Sequence, residues 1–484
     1  MGFQPGMVWP GHPRLLTPVK APVAVRPILF GMRVPAPQFD SETLARHDRP
    51  GPRYTSYPAA PRFSETFGEH HLFEAIEASN EMPIPRALSL YVHVPFCLSP
   101  CFYCGCNRII TRDTARGKRY VERLLREIDL VAPRFSPDRE VVQLHFGGGT
   151  PNFLDADSLR TVVDHLRTHF PFASGTRTDL SIEVDPRSIK PSTIAELADV
   201  GFNRISLGVQ DFDPAVQAAV NRLQTEEQTR DIVEAARDAG LRSLNIDLIY
   251  GLPKQTREGF AETLDAVVAM RPDRIAVYAY AHFPSMFRAQ KRIDPTELPS
   301  ASAKIALLGL AVERLMQVGY VYIGMDHFAL PFDELAVAQR EGSLHRNFMG
   351  YTTHADTDLI GFGASAISRV CNAYSQNHRE LAAWSAAIDA GHVPVMRGLL
   401  LENDDLLRGE LIQALMCHGE IDFNAFGKRH GVDAHPLLEA ALPRLAPLAA
   451  DGLVEREGMR LRVTPRGRLL VRIVAGCFDR YASP

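Results

Sequence analysis

Short apolar runs and longer amphipathic stretches alternate between residues 88 and 280. Runs at residues 88–94, 141–146, 180–184, 204–209, 243–250 and 274–280 are rich in Val, Ile, Leu and aromatic side chains, and their lengths predict β-strands. The stretches between them have helical period. Residues 114–131 put Tyr120, Leu124, Ile128 and Val131 on one face, and residues 155–169 do the same with Leu159, Val162, Val163 and Leu166. Residues 225–239 end at Gly240, a helix-stopping residue, and residues 256–270 end before Pro272. Strand–helix repetition of this kind builds βαβ units and a parallel sheet. Six units satisfy either an open, partial barrel or a doubly wound sheet. A further helix is expected at residues 300–318, a strand at 320–323, and a final strand and turn in the glycine-punctuated stretch 356–368.

From about residue 380 the alternation stops. Helical patterns at 404–417, 422–430 and 435–451 precede a hairpin at 453–463 around Gly458 and a last helix at 466–478, an order that suggests a winged-helix-like module. A DNA-reading winged helix needs a basic recognition helix. The third helix here sets Arg444 against Glu439 and Asp451, so the module reads as a lid or packing element.

Polar residues concentrate at one end of the predicted strands. The first strand runs into a cysteine-rich loop and the second into Gly147-Gly148-Gly149-Thr150-Pro151. Glu183 and Asp185 end the third, Gln210-Asp211 follow the fourth, Asp247 and Tyr250 occupy the last half of the fifth, and Tyr280-Ala281-His282 end the sixth. In parallel barrels the carboxyl ends of the strands form one rim, which holds the active site. Two later stretches, Met325-Asp326-His327-Phe328-Ala329 and His345-Arg346-Asn347-Phe348, add His and Arg, although a lone His is more often a satisfied core or surface residue than a ligand.

With 484 residues the chain exceeds one ordinary core, and 45% hydrophobic with 23% charged residues is the balance of a globular protein. A net charge of −4 argues against a general nucleic-acid binder, and no apolar run approaches the roughly 18 residues needed to span a membrane. Residues 1–39 hold eight prolines and no acidic residue and lack the apolar core of a signal peptide. A disordered leader over 1–45, a catalytic domain over 46–379 and a lid domain over 380–484 are the expected divisions. A reducing cytoplasmic compartment fits this composition, and a monomer is expected. Gly51-Pro52-Arg53-Tyr54-Thr55-Ser56-Tyr57-Pro58 has neither helical nor strand period and predicts an ordered, extended segment ahead of the first strand.

Four of the seven cysteines, Cys97, Cys101, Cys104 and Cys106, fall within ten residues at spacing C-x3-C-x2-C-x-C. Three thiolates so spaced can close on one face of an iron–sulfur cube and leave one iron open. Cys106, two residues beyond Cys104, would have to reach back awkwardly. The alternatives are a structural zinc site, which normally uses two well-separated ligand pairs, and buried bystander thiols, the reading that suits the scattered Cys371, Cys417 and Cys477.

Cys97-x3-Cys101-x2-Cys104 with Tyr103 before the last cysteine resembles the signature of the radical S-adenosylmethionine (radical SAM) enzymes. The longer string ending Cys104-Gly105-Cys106-Asn107, with the 53–58 stretch Arg-Tyr-Thr-Ser-Tyr-Pro, resembles one family among them, the oxygen-independent coproporphyrinogen III oxidases (dehydrogenases). The resemblance runs from Pro50 to the C-terminus. It implies a partial (β/α)6 barrel with the winged-helix-like C-terminal domain. It also implies one 4Fe–4S cluster on Cys97, Cys101 and Cys104, and S-adenosyl-L-methionine, two molecules of it, as cosubstrate. Tyr91, Gly148, Glu183, Gln210, Arg222, Asp247 and Ile367 match positions that bind the first molecule, and Tyr103, Gly149, Thr150 and Ala281 match positions around the second. The implied reaction is oxidative decarboxylation of coproporphyrinogen III in haem biosynthesis, with an electron donor and an electron acceptor as further partners. No residue is assigned a catalytic role beyond these contacts. The Gly51–Tyr57 segment is expected to cover the site and supply Arg53, Tyr54 and Tyr57 to the substrate, with Arg108, Arg112, Lys291 and Arg346 as the other cations to consider. A haem-trafficking protein on the same scaffold is the alternative, against which Cys106-Asn107, the Arg53–Pro58 stretch and the Arg222 neighbourhood count.

Overall fold

The computed structural model describes residues 34–482, so the expectation for residues 1–33 lies outside it. The six predicted strands all form: β1 (Leu88–Val94), β2 (Val141–Gly148), β3 (Asp179–Val184), β4 (Arg204–Gln210), β5 (Ser243–Tyr250) and β6 (Arg274–Ala279). They pair in parallel and in sequence order. Along β2 to β5 buried apolar residues alternate with polar ones, Leu144 and Phe146 with His145, Leu180 and Ile182 with Ser181 and Glu183, Leu244 and Ile246 with Asn245 and Asp247, so one face of the sheet packs in the core and the other carries polar side chains.

Two groups of later strands extend this sheet. On one side come β7 (Val321–Gly324) and β8 (His327–Ala329), with β8 antiparallel to β6. On the other come β9 (Asp358–Phe362), β10 (Ile367–Val370), β11 (Ala373–Asn377) and β12 (Val395–Leu400), giving the order β12-β11-β10-β9-β1-β2-β3-β4-β5-β6-β8-β7. The sheet does not close on itself, so the barrel is partial. β9, the expected final strand, lies parallel to β1 and brings the Gly361–Ile367 turn to the first strand.

Helix starts are set by side-chain caps. Asp155 accepts from Ser158 N–H at 2.8 Å, Thr225 and Gln228 form a capping box, and Thr256 accepts from Gly259 N–H at 3.1 Å. The sequence reading did not single out the helices Glu69–Asn80, Pro191–Val200 and Leu381–Asp389. Each is short or lacks a sharp polar/apolar division.

The domain expectation differs from the structure at both borders. Helix Leu381–Asp389 and β12 belong to the main sheet and its core, where Trp384 packs on Tyr120 at 4.7 Å between ring centroids. Residues expected in the leader instead form helix Ser41–His47, and Leu44 joins the second core together with Tyr54 and Tyr57. That core is otherwise C-terminal: helices Asn403–His418, Phe423–His430 and His435–Ala450, and the hairpin Val454–Glu457/Arg460–Val463. A strand at Glu420–Asp422 completes its small sheet. Periodicity could not reveal this pairing, because residues 41–57 pack against partners some 400 positions away in the chain.

Candidate active site

The cysteine loop leaves β1 and is fastened to the rim by its backbone. Phe102 N–H donates to Val220 O at 2.9 Å, Asn221 donates to Pro100 O at 2.6 Å and Thr111 N–H donates to Cys97 O at 3.0 Å. Arg108 holds the loop from within, donating to the carbonyls of Cys101 at 3.1 Å, Cys104 at 3.2 Å and Cys106 at 3.4 Å. This guanidinium is therefore committed to the loop, whereas the sequence left it open as a cation for the substrate.

The glycine-rich loop after β2 lies backbone to backbone against the segment that carries Cys97. Gly149 N–H donates to Val94 O at 2.9 Å and Thr150 N–H donates to Phe96 O at 2.8 Å. A Cβ on Gly149 would meet Phe96 O at 2.8 Å, so this glycine permits close approach of two loops of the same chain. Thr150 Oγ1 donates to Cys97 Sγ at 3.4 Å. On the far side, Arg187 reaches Cys101 Sγ at 3.4 Å and Arg222 reaches it at 3.5 Å, while Asp185 bridges the two arginines at 2.6 and 3.3 Å. Arg222 also donates to Gly208 O, an arrangement that the residue type alone did not announce.

The donor set fits an iron–sulfur cluster. Three thiols, Cys97, Cys101 and Cys104, are gathered in one loop next to N–H and O–H donors that stabilise sulfur charge. Above all the hydrogen bond with Cys106, then nearby Arg108, brings the Cys104 thiol down to about 6 against the opposing effect of burial. Cys106 is exposed, and its N–H donates to Cys104 Sγ at 3.4 Å.

Beside this loop a cavity of about 450 Å³ opens. Of the residues expected at the cosubstrate, Tyr91, Gly148, Glu183 and Ile367 line it. Glu183 accepts from Gly148 N–H at 3.2 Å and from His145 at 3.4 Å; burial opposes its charge, but those bonds hold it ionised, below the ordinary glutamate range. Tyr91 O–H donates to His93 Nδ1 at 3.1 Å, and His93 Nε2 donates to Asn107 O at 3.0 Å, which ties β1 to the end of the cysteine loop. Asp247, on β5, accepts from Asn245 at 2.8 Å and Ser206 at 3.1 Å, and burial pushes its carboxyl up to about 6. Gln210 ends β4 in the left-handed region at φ 72°. Tyr103 and Ala281 sit apart from the cavity lining, linked through Gln290, which donates to Tyr103 O at 2.9 Å and Ala281 O at 3.1 Å.

The rest of the lining was only partly anticipated. Arg53, Thr55, Tyr278, His327, Arg346, Phe348 and Met349 belong to it. Arg53 pairs with Asp326 and lies over the Tyr278 ring at 5.6 Å. Tyr54 and Tyr57 turn away: Tyr54 O–H donates to Asp479 at 3.1 Å and Tyr57 Oη accepts from Arg480 N–H at 3.1 Å. Alternate residues of the Arg53–Tyr57 segment thus serve the cavity and the second core. His93 and His145 were missed because a single histidine inside a strand is more often a satisfied core residue, and its position alone does not separate the two roles.

A parallel-sheet partial barrel with a three-cysteine loop on its carboxyl rim defines a radical SAM enzyme, and the family model for the radical SAM superfamily matches residues 91–267. A second model, the HemN C-terminal domain, matches residues 401–470, starting just after β12. The oxygen-independent coproporphyrinogen III oxidase of Pseudomonas aeruginosa is 48% identical over 444 residues, covering 92% of this chain and 96% of that protein. Its Escherichia coli counterpart is 46% identical, over 93% of this chain and 97% of that protein. The solved structure of the E. coli coproporphyrinogen III oxidase HemN, described as a radical SAM enzyme, superposes with a TM-score of 0.87 at 44% identity and covers 93% of this chain and 100% of that one. The chain belongs to the oxygen-independent coproporphyrinogen III oxidase family. Its cofactors are accordingly a 4Fe–4S cluster and S-adenosylmethionine.

Proposed function

We propose that this chain oxidatively decarboxylates two propionate groups of coproporphyrinogen III to vinyl groups, giving protoporphyrinogen IX in haem biosynthesis. The observation that carries this reading is that Cys106 and Asn107 of the cysteine loop and Glu183 line the same cavity as Arg53, Phe348 and Arg346. That cavity combines polar groups suited to a nucleoside with the cations and apolar surface that a propionate-bearing macrocycle needs. For each propionate a C–H bond and the bond to the carboxylate break, a vinyl bond forms, and carbon dioxide, one proton and two electrons leave.

When bound, the cluster and S-adenosylmethionine supply a 5′-deoxyadenosyl radical able to take hydrogen from an unactivated carbon. The protein's own part is placement and exclusion of water. Arg108 and the Thr150 hydroxyl hold the three thiols in one array. Glu183 and Asp247 accept hydrogen bonds from ribose hydroxyls. Arg222, with its planar fork, takes the methionyl carboxylate, and Tyr91, Gly148, Gln210 and Ile367 complete that contact surface. Tyr103, Gly149, Thr150 and Ala281 belong to a second cosubstrate position. Arg53, Phe348 and Met349, which line the cavity, help to exclude water from it.

The protein acts as a cytoplasmic monomer with a separate electron donor for the cluster and a separate acceptor for the substrate electron. Among the described residues no helix is long and apolar enough to cross a membrane. The haem-trafficking reading is not favoured, since relatives at 46–48% identity carry the oxidase name. The test is anaerobic turnover of reconstituted protein with coproporphyrinogen III, S-adenosylmethionine and a reductant. Protoporphyrin after air oxidation, with two 5′-deoxyadenosines formed per product, is the expected result. Tight haem binding without conversion of coproporphyrinogen III is the result that overturns it.

A further inference from the structure

Among the cations around the cavity, most are already committed. Arg53 has Asp326, Arg108 has three loop carbonyls, and Arg222, beside Asp185 and Gly208 O, is assigned above to the cosubstrate. Arg346 is different. It is only 4% exposed, it lines the cavity, and its Nε and Nη1 have no hydrogen-bond partner among the described residues. No carboxylate among the described residues stands within ion-pair distance of it. A guanidinium buried without an anion is costly, and proteins that keep one in place normally supply the counter-charge from elsewhere.

The surroundings keep this guanidinium in position. Arg346 and Tyr351 are cross-strand partners in the hairpin His345–Asn347/Gly350–Thr352, and the guanidinium carbon lies 4.6 Å from the Tyr351 ring centroid. Both ends of that contact are held by the C-terminal helix Asn403–His418. Gln413 donates to Arg346 O at 2.7 Å, and Tyr351 O–H donates to Met416 O at 3.1 Å. Tyr351 also meets His327, 5.5 Å ring to ring, which lines the cavity as well and has its buried Nδ1 unpartnered. Arg346 and His327 therefore line the same cavity as Glu183 and as Cys106 and Asn107 of the cysteine loop.

We infer that Arg346, seconded by His327, is an anion site for a substrate carboxylate, a propionate of the tetrapyrrole, held by the guanidinium within the cavity. This rests on the functional reading above and adds to it the anchor of the substrate. It also gives the C-terminal domain a part in substrate binding, since through Gln413 and Met416 that domain positions the residue that fixes the macrocycle. Anchoring one carboxylate there leaves another part of the ring to lie toward the cysteine loop.

The test uses reconstituted holoenzyme with Arg346→Gln and Arg346→Lys, kept anaerobic. The expected result is a KM for coproporphyrinogen III at least tenfold higher in Arg346→Gln and an intermediate rise in Arg346→Lys, which keeps the charge but loses the fork. Iron content stays at the wild-type level, and the melting temperature does not fall, because the substitution removes an uncompensated buried charge. A KM within twofold of wild type in Arg346→Gln overturns the inference. So does the pattern of a structural cation: lower melting and lost iron in Arg346→Gln, both restored by Arg346→Lys, with KM unmoved. If Arg346→Gln does not fold, the KM of Arg346→Lys decides alone. Wild-type protein that leaves coproporphyrinogen III unchanged refutes the functional reading instead. Fluorescence titration with coproporphyrin III then judges the anion site: tenfold weaker binding by the variant supports it, and equal binding overturns it.

Discussion

Gly148 ends β2 at φ +115°, and a Cβ placed on it would come within 2.5 Å of His93 Cε1. Both the backbone conformation and the crowding exclude a side chain there. Gly148→Ala must push His93 out of its bonds with Tyr91 and Asn107. Loss of about 1–3 kcal/mol of stability and weaker S-adenosylmethionine binding are expected, readable by thermal unfolding and calorimetry. The cysteines separate at the same scale. Ser substitutions at Cys97, Cys101 and Cys104 should each abolish the brown iron–sulfur absorbance after anaerobic reconstitution. Cys106→Ser, at the exposed end of the loop, should retain it. Iron loss in Cys106→Ser with iron kept in Cys101→Ser would reverse the ligand assignment.

At the scale of elements, the amino end of the barrel is tied by Asp179, the first residue of β3. Its carboxylate meets Arg204 at 2.9 Å, Arg242 at 2.6 Å and His354 at 2.9 Å, so that one anion joins β3, β4, the approach to β5 and the loop after the Arg346 hairpin. Burial alone would raise its pKa, but the His354 hydrogen bond and Arg204 prevail and bring it from 3.8 to about 2. A carboxyl depressed on folding stabilises fully above its unfolded value and loses that contribution as pH falls through the folded one. About 2 kcal/mol should therefore disappear between roughly pH 4 and pH 2. Asp179→Asn should remove this acid limb and cost about 3 kcal/mol at neutral pH, because buried Arg204 keeps only Glu334. Chemical denaturation at stepped pH measures both effects.

Across the whole molecule, the N-terminal segment and the C-terminal domain are one unit. Leu44, Tyr54 and Tyr57 fill the second core, Gln38 N–H donates to Pro465 O at 2.9 Å, and Arg466 pairs with Asp40 at 2.6 Å. Between these anchors Arg53 and Thr55 reach the cavity. Deleting residues through Tyr57 should therefore do more than uncover the site. It should lower the melting temperature of the C-terminal domain and abolish decarboxylation, because that domain holds the Arg346 hairpin through Gln413 and Met416. Full conversion of coproporphyrinogen III by this truncated protein would show that the segment is only a linker.

What the sequence determined by itself was local. Apolar runs of strand length, amphipathic helices with capping residues and a dense cysteine spacing are all encoded within about twenty residues. The six strands, the rim and the thiol array were therefore legible before any contact was known. The resemblance carried by Cys97–Asn107 supplied the barrel type and the cofactors. Tertiary structure alone decided what depends on distant partners. It seated β9 beside β1, placed helix Leu381–Asp389 and β12 in the main domain, and put Tyr54 and Tyr57 into the C-terminal core. It also separated committed arginines from the uncommitted one. Arg53, Arg108 and Arg346 are the same residue type in similarly polar stretches. Only the positions of Asp326 and of the loop carbonyls, and the lack of any such partner beside Arg346 among the described residues, distinguish their roles, because pairing of a charge is a property of space and not of neighbouring letters.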